Sequence, residues 1–273
     1  MTISSNTETK YTVLKKIFKE MKSVLVAYSG GVDSSLLLKV GTDTLKHNCT
    51  GIIGISPSLA ANEYDAAFRQ ASEFGAKISK IQTNEITNSL YVQNNKDRCY
   101  FCKSELFDEL VKISKDLNVR FIVEGSNFDD LDDHRPGMKA AKENQIRSPL
   151  VEAKLNKKEI RELAKYLGLC SWDKPSQPCL SSRVAYGVKI NEDVLIKINI
   201  AENYLKKMNF EIVRVRYFDD HVSVEVGKQE VQRLFNPEIE KNVKTKFQDI
   251  GFNSVVFDPD GYQSGKLNII YNT

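Results

Sequence analysis

Hydrophobic positions in the first two thirds of the chain switch between two periods. Short runs rich in apolar and β-branched residues at Val24 to Tyr28, Gly51 to Ile55, Lys77 to Ile81 and Phe121 to Glu124 have the length of strands, and polar or glycine-containing loops follow them. Between them, apolar residues recur three and four apart over Ser34 to His47, Asn62 to Phe74 and Ser104 to Leu117, the spacing that gathers them on one face of a helix. A further helix is predicted over Asn156 to Leu167, with the asparagine as its cap and Gly168 as its stop. Strands alternating with helices predict an α/β fold, a doubly wound, Rossmann-like parallel sheet. Such sheets keep their ligands in the loops beyond the carboxyl ends of the strands.

From about Cys170 to Gly187 the periods stop, because Trp-Asp-Lys-Pro-Ser-Gln-Pro-Cys-Leu-Ser-Ser-Arg is broken by proline. The domain boundary is placed there: residues 1–185 form the α/β domain with its connector, and residues 186–273 form a smaller α+β domain. The latter is expected to hold a helix near Asp193 to Met208, a hairpin from Glu211 to Val226, a helical stretch to Gln248 and a strand at Ser254 to Phe257.

Composition adds exclusions. With 273 residues, 41% apolar and 27% charged, the chain can bury two cores without metal or disulfide help, so any metal is expected to be functional. The 39 basic against 36 acidic residues leave a net charge of +3, too balanced to mark a nucleic-acid binder, whereas small acidic ligands stay open. No signal-peptide core and no long apolar run is visible, which predicts a cytoplasmic protein without a membrane span. Five cysteines, an odd number, fit a reduced compartment better than a disulfide framework.

The strand at Val24 to Tyr28 runs into Ser29-Gly30-Gly31-Val32-Asp33-Ser34 and then a helix. Two glycines let backbone N–H groups turn toward a ligand, and the helix N-terminus behind them adds a positive dipole end, which together make an anion cradle. Neither a Walker lysine nor a three-glycine dinucleotide fingerprint is present. Ser-Gly-Gly-x-Asp-Ser instead resembles the pyrophosphatase (PP) loop of N-type ATP pyrophosphatases, which cleave ATP between the α and β phosphates. The resemblance implies that Ser29, Gly30, Gly31 and Ser34 hold the phosphates and that Asp33 positions Mg²⁺. Gly125, after the fourth strand, would let a nucleotide approach the backbone.

Cys99 and Cys102 are three residues apart and precede the helix predicted from Ser104. They admit half of a zinc site, a redox dithiol or two ligands of an iron–sulfur cluster. Cys179, in the proline-broken connector beside Arg183, is the favoured third partner. Cys49 and Cys170 are expected to be buried structural thiols.

The loop, the Gly-Ser-Asn-x-Asp-Asp-x-x-Asp-x-Arg-Pro-Gly stretch from Gly125 to Gly137, Arg147-Ser148-Pro149-Leu150, Trp172-Asp173-Lys174-Pro175, Cys179-Leu180-Ser181-Ser182-Arg183 and Gly261-Tyr262-Gln263-Ser264-Gly265 together resemble the LarE family over nearly the whole chain. These are ATP-dependent sulfurtransferases for pyridinium-3,5-biscarboxylic acid mononucleotide, on the route to the nickel-pincer nucleotide cofactor. Asp132 and His134 depart from the family pattern, where glycine and tyrosine are often found. In one kind of family member a cysteine matching Cys179 surrenders its own sulfur. In the other a Cys-x-x-Cys joins it to hold a [4Fe-4S] cluster carrying a transferable sulfide. With Cys99, Cys102 and Cys179, this sequence resembles the second kind.

The resemblance implies ATP, Mg²⁺ and the cluster as cofactors, a mononucleotide substrate and a homo-oligomer, and leaves the sulfide donor unnamed. Lys103, next to Cys102, is a candidate cation for the phosphates, and an ordinary solvated lysine otherwise. Arg214 and Arg216 alternate with Val213, Val215 and Tyr217, so both point to one sheet face. With Arg183 they are assigned to the substrate phosphate, the alternative being a solvated face with a cross-strand pair to Glu225. Rival functions are a PP-loop enzyme that thiolates tRNA, an amide-forming synthetase and a nucleotide-sensing or metal-storage module.

Overall fold

A computed structural model describes residues 2–132, 136–175 and 177–267; His134 and its two neighbours in the Gly125 to Gly137 motif lie outside the described residues. Its organising element is β1 (Val24–Ala27), whose four residues are all buried. Two apolar faces are built on it. Val24 and Val26 enter one cluster with Leu14 and Phe18 of α1 (Ser5–Met21), Leu36 and Leu37 of α2 (Val32–Leu45) and Ala67 of α3 (Ala61–Glu73). Leu25 and Ala27 enter another with Phe107 and Leu110 of α4 (Arg98–Asp116) and Ala140 and Ala141 of α5 (Pro136–Glu143). Coverage of both faces is what a parallel sheet needs and what its near-continuous apolar strands encode.

The sheet is four-stranded in the order β3-β2-β1-β4, with β2 at Cys49–Ile55, β3 at Lys77–Gln82 and β4 at Phe121–Val123. All pairings are parallel; Val24 stands opposite Cys49 on one side and Phe121 on the other. The predicted α/β fold is therefore present. The chain winds outward from β1 to β3 and then crosses to β4, so the topological switch lies between β1 and β4, where such sheets bind ligands. The capped helix after β4 is α6 (Lys157–Tyr166): Asn156 accepts from the Glu159 N–H and Glu159 returns the bond, a complete capping box.

Two expectations are corrected, and one element is new. The helix expected from Ser104 starts at Arg98, so Cys99 and Cys102 stand in its first turn rather than before it. Cys170 is exposed, not buried, while Cys49 is buried as expected. The polar N-terminal segment forms α1, whose Leu14, Ile17, Phe18 and Met21 are buried.

By its contacts the chain divides into two units, Met1–Glu85 with Cys99–Gln177, and Ile86–Arg98 with Pro178 onward. The second unit contains a small mixed sheet in the order β5-β6-β7. In it β5 (Val213–Tyr217) runs antiparallel to β6 (Val222–Val226), and β7 (Val255–Phe257) runs parallel to β6. α7 (Glu192–Lys207) packs on β5, and α8 (Pro237–Ile250) packs on α7. The sequence did not set residues 86–98 apart. They join this unit because Asn94, fully buried, donates to the carbonyl oxygens of Val184, Ala185 and Val188 at 3.2, 2.8 and 3.1 Å. Among the described residues, no helix is long and apolar enough to cross a membrane.

Candidate active site

The loop between β1 and α2 has the conformation its glycines allow. Gly30 has φ +75°, and a Cβ there would stand 2.7 Å from the Ala67 Cβ, so both backbone and space require glycine. Ser34 Oγ accepts from the Ser29 N–H at 3.2 Å and lies 3.0 Å from Ser29 Oγ; Gly31 is the N-cap of α2. Beyond β4, the backbone of Gly125 rests against the same helix start: a Cβ would come 3.0 Å from the Ser34 nitrogen. The two glycine loops predicted separately thus meet at the switch point, around a helix N-terminus suited to an anion.

Asp33, in the first turn of α2, pairs with the Lys157 ammonium. Asn127 Nδ2 donates to its other oxygen at 3.3 Å. Neither partner was read from the sequence, because Lys157 stands 124 positions away and looks like any first-turn lysine. α6 places it, and Asp129, accepting from the Lys157 N–H at 2.9 Å, holds the start of that helix beside the segment after β4. The ammonium of Lys103, the candidate cation named from sequence, lies 5.7 Å from the Phe107 ring centroid.

Cys99 is exposed and Cys102 half-buried, one turn apart at the head of α4. Exposed Cys179 caps a 3₁₀ turn, Leu180–Arg183. Its carbonyl oxygen accepts from the Ser182 N–H at 2.9 Å, Ser182 Oγ at 2.7 Å and Arg183 at 3.0 Å. Within either unit, no group of three or more His, Cys, Asp and Glu side chains among the described residues is placed to share a metal ion. Cys49 differs in kind: burial pushes its thiol up to about 12, which keeps it protonated and inert.

The face of β5 that carries Arg214 and Arg216 is buried, not solvated. Among the described residues it brings together the guanidiniums of Arg183, Arg214 and Arg216 and the carboxylates of Glu202 and Glu225. Arg183 makes a two-pronged pair with Glu202 at 2.9 and 3.1 Å, and Arg216 a similar one with Glu225 at 3.2 and 3.1 Å. Arg216 also reaches the Ser182 carbonyl at 3.2 Å. Arg214 donates to its neighbour Val213 at 2.7 Å and lies over the Tyr262 ring. Burial and then the Arg183 charge push its pKa down, whereas burial pushes Glu225 up. Sequence reasoning missed Glu202, which α7 supplies.

No protein-family model matches the chain. It is 43% identical over 261 residues to an uncharacterized protein of Synechocystis sp., covering 96% of this chain and 97% of that one. It is 32% identical over 263 residues to the pyridinium-3,5-bisthiocarboxylic acid mononucleotide synthase of Lactiplantibacillus plantarum, covering 95% and 94%. An uncharacterized protein of Methanocaldococcus jannaschii is 33% identical over 254 residues, covering 92% and 94%.

Proposed function

The chain belongs to the LarE family, and from that premise we propose that it is an ATP-dependent sulfurtransferase. Its substrate is pyridinium-3,5-biscarboxylic acid mononucleotide, and its place is in nickel-pincer nucleotide biosynthesis. The observation that carries the reading is the meeting of the Ser29–Ser34 loop and Gly125 on one helix N-terminus at the sheet's switch point. A carboxylate oxygen is a poor leaving group. ATP converts it to an acyl-adenylate with release of pyrophosphate, and sulfur then displaces AMP at the carbonyl carbon.

The loop N–H groups and the dipole of α2 hold the phosphates. Mg²⁺, when bound, neutralises phosphate charge, and Asp33 is the carboxylate that would hold it. Lys157, which neutralises Asp33 without nucleotide, then becomes available to the phosphates. Arg214 and Arg216 take the substrate phosphate through charge-assisted hydrogen bonds. Arg183, assigned to the same group from sequence, also fixes the Cys179 turn through the carbonyl oxygens of residues 178 and 179.

A [4Fe-4S] cluster, when bound, supplies the sulfide to be transferred, and Cys99, Cys102 and Cys179 would hold it. The donor set suits it: all are thiols, none is fully buried, and two share one helical turn.

The test is anaerobic reconstitution followed by incubation with ATP and the mononucleotide. The expected result is AMP, pyrophosphate and thiocarboxylate, about four irons per chain and an unchanged Cys179 mass. Asp33→Ala should cut AMP formation by roughly a hundredfold without unfolding the protein. A colourless protein whose Cys179 loses the mass of hydrogen sulfide after one turnover would establish the sacrificial route instead. Normal AMP formation by folded Asp33→Ala would remove the loop assignment.

A further inference from the structure

The 86–98 segment grips the stretch that follows Cys179. Besides the three carbonyl oxygens held by Asn94, the Tyr91 hydroxyl lies 2.6 Å from Ser181 Oγ. Backbone bonds run from the Gly187 N–H to Asn94 O at 3.3 Å and from the Ile190 N–H to Val92 O at 2.9 Å. Arg98 completes the grip: it is buried, donates to Asn94 Oδ1, donates to the Ser181 carbonyl at 3.0 Å and stacks its guanidinium 5.8 Å from the Tyr186 ring centroid. The Ser181 carbonyl also accepts from the Val184 N–H at 3.2 Å. It is the second carbonyl after Cys179, so fixing it fixes the turn on which that thiol stands. On the other side of the turn Arg183 and Glu202 do the same work.

We propose that Arg98, oriented by Asn94, is a positioning residue for Cys179. The same residue begins α4 and is joined by one peptide bond to Cys99. A side chain that holds the Cys179 turn and a backbone that starts the dithiol helix thus belong to one residue. A buried arginine is suited to this, since one of its terminal nitrogens presents two N–H donors fixed in the guanidinium plane, serving the Asn94 amide oxygen and the Ser181 carbonyl at once, while a lysine offers a freely rotating point charge. The inference rests on the reading that Cys179 takes part in sulfur transfer, but its structural half can be measured without substrate or cofactor.

The experiment is amide hydrogen exchange on the full chain, comparing wild type, Arg98→Lys and Arg98→Met. Losing a charge-assisted bond should speed exchange at Ser182 and Val184 by about ten- to a hundredfold in the methionine variant. The Val215 N–H, held by Glu202 at 3.1 Å, should be unaffected, and lysine should give an intermediate rate. The same variants should lower kcat for sulfur transfer with KM for ATP unchanged. Equal exchange at Ser182 and Val184 in folded variants, or a rise shared by Val215, overturns the proposal. Should methionine prevent folding, the lysine comparison alone decides between these outcomes. A wild type that transfers no sulfur defeats the functional reading while the exchange result still judges the positioning role.

Discussion

Cys49, Cys170 and Cys179 show how little a residue's type says about its chemistry. Cys49 lies within the first cluster with its thiol held up by desolvation, whereas Cys170 and Cys179 are exposed. Alkylation with iodoacetamide near pH 8 should therefore modify Cys170 and Cys179 within minutes and leave Cys49 untouched until denaturant is added. Peptide mass spectrometry reads this directly, and a Cys49 adduct on the native protein would contradict the burial argument. The loop residues Ser29 to Ser34 were legible in the sequence because a backbone cradle needs a local order of strand, glycines and helix. Lys157, Asn127 and Glu202 were not, since their roles depend on which distant element arrives beside Asp33 or Arg183.

Elements were read well where period and caps agreed and poorly where tertiary contacts decide. The predicted strands all form, and Asn156 caps α6 as its sequence implies. α4 begins six residues earlier than its predicted start at Ser104, because Arg98 is anchored by its own side chain and overrides the modest helix propensities of cysteine and the aromatics. α1 depends on docking: Glu162 of α6 accepts from the Ser4 N–H at 2.6 Å and from Thr7 Oγ1 at 2.6 Å. The Thr7 hydroxyl first, and the Ser4 N–H next, hold the Glu162 carboxyl below the usual glutamate range. A depressed pKa means that this stabilisation is fully present above the ordinary glutamate range and is lost as pH falls below that range. Hydrogen exchange should accordingly show α1 loosening below the ordinary glutamate range before α2 does, and Glu162→Gln should flatten that dependence. Simultaneous loosening of both helices would place the acid sensitivity elsewhere.

At the scale of the whole molecule the proposed mononucleotide substrate and tRNA make different demands on charge. A surface that tracks phosphates needs many cations, and its affinity falls steeply with salt; a net charge of +3 offers no such excess. The site proposed for the substrate phosphate, Arg183, Arg214 and Arg216 beside Glu202 and Glu225, is a small buried cluster rather than an extended surface. Filter binding should detect no tRNA complex whose affinity drops between 50 and 200 mM salt by the roughly thousandfold typical of six or more phosphate contacts. Thiolation of tRNA under conditions that leave the mononucleotide unchanged would reverse the substrate assignment.

By itself the sequence determined what depends on neighbours along the chain. It specified the alternation of strand and helix, the glycine loop after β1, the cap of α6 and the presence of a smaller second fold, since periods, caps and turns are local rules. Only the tertiary structure decided what depends on distant residues meeting. It set Gly125 against the start of α2, put Lys157 on Asp33, buried the arginines of β5 with Glu202 and Glu225, and bound the 86–98 segment around the residues after Cys179. The physical reason is that a buried charge or polar group is tolerated only where its partner also arrives. That condition is met by the folded chain as a whole and leaves no mark on the spacing of residues.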